Sequence, residues 1–244
     1  MIQSAKSDAT LRFWCLPHSS LRGRRVERWL RSGAKRGDPW FYWQLALLLK
    51  SRNRKGSDKD EAIRLLKRAS TLEYAPAEFS FGVALSSGQG VEPDKKAALY
   101  WYRRSASHGF PVGAYNLGHF LEKGIMCDVD KEEAAHWYRV AANMGDSDAE
   151  VALGNLWSDH MRSTGSFQNQ KWVLFWYGQA AKHGNPDGIF NLALCYREGA
   201  GVTQNHEKYM RLLKRAAKAG QVSARRILRH ERTHAKKSRV EAIS

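Results

Sequence analysis

A nine-residue phrase recurs along the chain: a Trp-Tyr-type pair, then basic and small residues, then Gly. It reads WLRSGAKRG at 29–37, WYRRSASHG at 101–109, WYRVAANMG at 137–145, WYGQAAKHG at 176–184 and LLKRAAKAG at 212–220. A weaker copy, LLKRASTLE, fills 65–73. Successive copies start 36, 36, 36, 39 and 36 residues apart. A unit of this length cannot bury its own apolar face, so the period predicts a stacked array rather than one closed enzyme core.

Residues 111–145 show what each unit is. Ala114, Leu117, Gly118 and Leu121 share one face at helical spacing. Gly124 is placed to end that helix as a left-handed C-cap. Asp130 is an N-cap for a second helix, and Glu133 three residues on completes a capping-box pattern. Ala134, Trp137, Tyr138, Ala141 and Ala142 form the apolar stripe of that second helix, and Gly145 stops it. Each repeat is therefore a helix A, a loop and a helix B.

A small residue recurs in helix A as Ala46, Gly82, Gly118, Gly154 and Ala193. Glycine inside a helix costs about 1 kcal/mol against Ala, so its recurrence points to close helix packing. The Trp of helix B is expected to fill the space opposite, with truncation of Trp101 or Trp137 costing about 3–5 kcal/mol.

Phase counting predicts a first helix B at 22–36, then five A–B pairs beginning near 39, 75, 111, 147 and 186. A capping helix follows at 222–235, where Arg226 and Arg229 replace the Phe190 and Ala193 of the preceding repeat. Three extra residues within 160–170 are expected to bulge from the A–B loop of their unit. This divides the chain into a basic N-terminal tail, 1–21, a repeat array, 22–235, and a C-terminal tail, 236–244.

At 43% hydrophobic residues and 11% aromatics, the sequence has ample material for a core. No apolar run approaches the roughly 18 residues of a membrane span. The N-terminus lacks an apolar stretch followed by a small-residue cleavage site, which argues against a secretory signal. A cytoplasmic location fits; the Arg- and Ser-bearing, acid-poor start leaves a mitochondrial presequence, and so the matrix, as the alternative. Cys15, Cys127 and Cys195 share no repeat position, which fits small buried hydrophobes in a reducing compartment.

The net charge of +16 is uneven. Residues 1–56 carry 13 Lys/Arg and 3 Asp/Glu, residues 205–244 carry 12 and 3, and the stretch between is slightly acidic.

Residues 77–109 carry Gly82, GQGV at 88–91, Asp94, Lys95, Ala97, Ala98, WY at 101–102, Ala106 and Gly109. Residues 187–220 carry Leu192, GAGV at 199–202 and the Ala216–Ala217–Gly220 ending. Over about 22–235 the chain resembles the Sel-one-like (SLR) repeat family, relatives of tetratricopeptide repeats. The resemblance implies an all-α fold: an α/α right-handed superhelical solenoid that acts as an adaptor or scaffold for other proteins, with no common catalytic residues and no cofactor. The GxGV loop is lost in the first, third and fourth pairs, where a different loop shape is expected.

If helix A lines the groove as in tetratricopeptide arrays, a partner-binding lane contains Trp43, Phe79, Tyr115, His119, Asn155, Phe190 and Arg197. Aromatic anchors flanked by polar groups suit an acidic or helical peptide segment. The competing reading has the aromatics packing against the neighbouring helix A.

The basic ends supply docking arginines: Arg24, Arg25 and Arg28 at one end, Arg225, Arg226 and Arg229 at the other. A nucleic-acid-associated scaffold, RNA or DNA, is the alternative function, with these termini on phosphates. The arginines read as spread around their helices rather than on one stripe. HERTH at 230–234 matches the HExxH pattern of zinc hydrolases, but no third ligand follows it and the surrounding Arg and Lys disfavour a divalent cation. The preferred reading is a protein-interaction scaffold without catalysis, metal or cofactor.

Overall fold

The computed structural model describes residues 24–52, 56–164 and 170–241, without the side chains of 24, 162, 164 and 232–241. Among the described residues there are twelve helices and no strand. In chain order they are α1 (Arg24–Lys35), α2 (Pro39–Ser51), α3 (Ser57–Thr71), α4 (Ala75–Ser87), α5 (Lys95–Ser107), α6 (Pro111–Lys123), α7 (Lys131–Asn143), α8 (Ser147–Thr164), α9 (Gln170–Lys182), α10 (Pro186–Glu198), α11 (His206–Lys218) and α12 (Val222–Glu241). Even-numbered helices are the A helices, and they start at the positions that the repeat phase predicts.

Local chemistry sets these starts. Proline opens α2, α6 and α10, where its missing N–H has no helical partner to lose. Side chains cap the free amides: Asp38 accepts from Trp40 N at 2.9 Å, Asp130 from Glu133 N at 2.8 Å and Asn205 from Lys208 N at 2.8 Å. Glu133 does not complete a capping box. Its carboxylate turns to Arg103, which donates to it at 2.9 Å.

The helices form two compact units, Met1–Asp94 and Lys95–Ser244. In the first, α1 to α4 each pack on the next and α2 also touches α4. In the second, α5 to α12 each pack on the next and α8 also touches α10.

The core of helix B differs from expectation. The buried member of the repeated pair is the second, not the Trp: Leu30, Leu66, Tyr102, Tyr138, Tyr177 and Leu213 are all buried. Trp101, Trp137 and Trp176 are half-buried, and Trp29 is exposed. In the second unit these tyrosines cover the helix A glycines. A Cβ on Gly118 would lie 2.8 Å from Tyr138 Cδ1, and one on Gly154 only 2.4 Å from Tyr177 Cε1. Helix A lacks a side chain there because an aromatic ring occupies the space.

Loop shape follows backbone handedness. Helices α4, α6 and α10 end on Gly88, Gly124 and Gly199, all left-handed. The equivalent residue of α8 is His160, and the helix continues through it to 18 residues against 13 in α6. Part of the insertion thus lengthens a helix; the loop where a bulge was expected, 165–169, lies outside the described residues. The third loop keeps the form of GxG without its second glycine, because Met126 takes φ +60 where Gly90 has φ +80.

Glu73 likewise sits at φ +58, at a position held in other repeats by Gly109 or Gly145. A left-handed non-glycine residue costs about 1–2 kcal/mol, and glycine returns part of that as unfolded-chain entropy. Glu73→Gly and Met126→Gly should therefore each raise stability by about 0.5–1 kcal/mol, read as a higher urea midpoint at unchanged slope.

Candidate partner-binding face

In the first unit, Trp43 Nε1 donates to Ser80 Oγ at 2.9 Å, and its ring meets Tyr74 edge-on at 5.8 Å. Phe79 is half-buried on α4.

In the second unit, α6, α8, α9 and α10 line an open cleft of about 400 Å³. Of the expected lane, Asn155 lines it. Tyr115 instead packs on Tyr138, ring centroids 5.6 Å apart, and burial raises its hydroxyl above the usual phenol range. His119 is half-buried beside Phe120. Phe190 packs onto the core formed by Ile189, Ala193 and Leu213. Arg197 is exposed, pairs with Glu198 at 2.7 Å and lies 5.8 Å from the Tyr209 ring.

The cleft is more acidic and richer in amides than the lane suggested. Glu122, Asp159 and Glu198 contribute carboxylates, Asn155 and Asn191 amides, and Leu194 and Cys195 an apolar wall. The acidic groups recur about twelve residues into successive A helices, a signal present in the sequence but overshadowed by the aromatics. Asn155 Oδ1 accepts from Tyr177 OH at 2.8 Å and from Asn191 Nδ2 at 3.4 Å, which joins α9, α8 and α10. Burial would raise the Glu122 carboxyl, but hydrogen bonds from Lys123 and Tyr138 outweigh it and hold the group below its ordinary range. Glu122 is thus a fixed negative charge at the rim. Burial pushes the Cys195 thiol up to about 11, so it lines the wall as an apolar group and not as a thiolate.

At the chain's basic ends, Arg25 and Arg28 are exposed on α1, and Arg24 has no described side chain. On α12, Arg226 and Arg229 are exposed, whereas Arg225 Nε donates to Ala217 O at 2.9 Å and closes the end of α11. HERTH lies within α12, with its last three side chains outside the described set. Among the described residues, no group of three or more His, Cys, Asp or Glu could hold a metal ion. No helix among them is long and apolar enough to cross a membrane.

His183, just past the end of α9, reaches α8. Its Nδ1 lies 2.9 Å from Glu150 Oε2, a carboxylate buried in the second unit.

The Sel1 repeat profile matches residues 42–74, 75–110, 111–146, 174–185 and 186–221. Among solved structures, the chain is similar to a protective antigen of uropathogenic Escherichia coli with an SLR fold. Identity is 28% and the TM-score 0.72, over 81% of this chain and 42% of that one, so the chain spans less than half of the antigen. It is also similar to a Sel1 repeat protein from Oxalobacter formigenes, with 23% identity, TM-score 0.71, and 79% and 75% of the two chains covered. A Sel1 repeat protein from Klebsiella pneumoniae shares the fold at 16% identity and TM-score 0.53, over 84% and 98%. No curated protein sequence matches significantly. Sel1 repeats are generally protein–protein interaction scaffolds. With matched repeats over more than half its length and helix pairs in the same phase, the chain belongs to the Sel1 repeat family.

Proposed function

We propose that the protein is a non-catalytic scaffold that captures a segment of a partner protein on its A helices. The observation that carries this reading is the cleft between α6, α8 and α10, where equivalent turns of three helices present amides and carboxylates around an apolar wall. Such a surface offers hydrogen bonds that fix register and an apolar pocket that supplies affinity. The carboxylates of Asp159 and Glu198 suit a Lys or Arg of the captured segment. Acidic stretches flanking that segment would be drawn to Arg226 and Arg229 on α12 of the same unit.

A photo-crosslinking amino acid in place of Asp159 tests this reading in native lysate. It should yield a discrete protein adduct, and the same probe at Asp128, in the loop before α7, should not. Ser158→Arg with Leu194→Arg, which fills the cleft with charge, should abolish the adduct while the circular dichroism spectrum is unchanged. An adduct equally strong from Asp128, or one that persists with the cleft filled, would sink the reading.

A further inference from the structure

Charge in this chain is sorted by helix type. The A helices of the five pairs, α2, α4, α6, α8 and α10, carry four Lys/Arg and seven Asp/Glu, whereas the six B helices carry twenty-two and seven; the capping helix α12 departs from this, with seven and two. The basic excess is therefore not confined to the ends of the chain.

In the unit Lys95–Ser244 this sorting produces a surface. The residue before each half-buried Trp points away from the core. It is Tyr100 on α5, His136 on α7 and Phe175 on α9, all exposed. Tyr100 is 54% and Phe175 43% accessible, high values for rings that could have been buried. Each ring is held edge-on by the adjacent Trp: Tyr100–Trp101 at 5.3 Å, His136–Trp137 at 5.2 Å and Phe175–Trp176 at 4.9 Å. The half-buried tryptophans thus brace an outer row of rings.

Three residues further along α5, α7 and α11 stand Arg103, Arg139 and Lys214, one turn from that row and exposed. Glu133 pairs with Arg103 at 2.9 Å. These three cations share one repeat position on the B helices of the unit, a position that Gly178 holds on α9.

Exposed rings beside a row of cations match one polymer best. Single-stranded nucleic acid offers unpaired base faces for stacking and one phosphate per nucleotide for Lys and Arg. A duplex hides its base faces, and an acidic protein surface would use the charges but leave the rings idle. We propose that the outer face of the B helices in Lys95–Ser244 binds single-stranded nucleic acid, with bases on Tyr100, His136 and Phe175 and phosphates on Arg139 and Lys214. This site is separate from the cleft and does not depend on it.

The test uses the full chain and a fluorescein-labelled oligo(dT) of about twenty nucleotides in about 50 mM salt, with heparin and polyglutamate as other polyanions. The oligonucleotide should bind and quench Trp fluorescence. Tyr100→Ala with Phe175→Ala should weaken oligo(dT) at least about tenfold and heparin less than about twofold, since each lost stack is worth several-fold or more. Tyr100→Phe with Phe175→Tyr should keep wild-type affinity. Arg139→Gln with Lys214→Gln should lower the slope of log affinity against log salt by about 1.4, as two lost contacts to a single strand would. Unchanged melting curves would show that each variant is folded. The proposal is overturned by no binding at low salt, by oligo(dT) affinity unchanged in the double Ala variant, by an equal loss for heparin, or by a preference for polyglutamate.

Discussion

Tyr138→Ala should destabilise the protein by about 3–5 kcal/mol, whereas Trp137→Ala, one residue earlier and larger, should cost only about 1–2 kcal/mol. Tyr138 is among the largest fully buried side chains of the chain. Its ring covers Gly118 and meets Tyr115, and its hydroxyl donates to Glu122 Oε2 at 2.8 Å. Truncation would open a cavity between α6 and α7 and remove one of the hydrogen bonds that hold Glu122. Trp137 is half-buried, with its Nε1 3.2 Å from Glu133 Oε1 near solvent. Urea titration of both variants, followed by far-UV circular dichroism, decides the order. Because each repeat contacts its neighbours, the loss at Tyr138 should lower the midpoint of the adjoining repeats as well. Equal losses for the two variants would mean that the Trp, as the sequence first suggests, carries the packing.

The repeat period revealed the helix starts because they are fixed locally. Proline at the first helical position, an Asp or Asn cap and a glycine stop are each readable within a few residues, as at Asp130, Pro111 and Gly124. What faces the core was harder. Trp137 and Tyr138 are adjacent, about 100° apart around the helix, and both border the apolar stripe, so periodicity alone cannot rank them. Residue size favoured the Trp, but the decisive contact is with Gly118, twenty positions away in sequence. The length of α8 was in principle legible, since His160 stands where a left-handed glycine would end the helix. The loop at Met126 was not, because a non-glycine residue there pays strain that only the folded backbone reveals.

The binding surfaces divide in the same way. Asn155 was legible as one of the polar groups flanking the aromatic lane, while Asn191, Asp159 and Glu198 join the cleft only once α8 and α10 are placed side by side. Phe190, expected as an anchor, is half-buried and packs onto the core beside Ile189 and Leu213. The outer row of Tyr100, His136 and Phe175 was hidden in plain view: its members precede the Trp of the very phrase that defines the repeat, yet nothing in one copy tells which side of the helix is wet.

The chain also contains its own control for the glycine–tyrosine contact. At the two repeat positions concerned it carries Gly118 with Tyr138 and Gly154 with Tyr177, but Ala46 with Leu66 and Ala193 with Leu213. The smaller helix A residue accompanies the larger helix B residue, and the reverse, as expected if the two share one volume. Gly154→Ala would gain about 1 kcal/mol in helix propensity, but its Cβ would enter a space where the Tyr177 ring lies 2.4 Å away. That ring cannot swing aside cheaply, since it is buried and its hydroxyl is tied to Asn155 at 2.8 Å. Overpacking at the upper end of its usual range, about 2–3 kcal/mol, should therefore outweigh the propensity and leave a net loss of about 1–2 kcal/mol. Tyr177→Leu alone should cost about 2–3 kcal/mol, through the vacated ring volume and the lost hydrogen bond to Asn155. Together the two substitutions recreate the Ala–Leu pair, with the methyl in the space the ring has left. The double variant should be more stable than the sum of the singles predicts by about 1–3 kcal/mol, a coupling that a urea-denaturation cycle resolves. Strict additivity would show that the glycine is there for some reason other than the ring, and the paired pattern along the repeats would then have no packing basis.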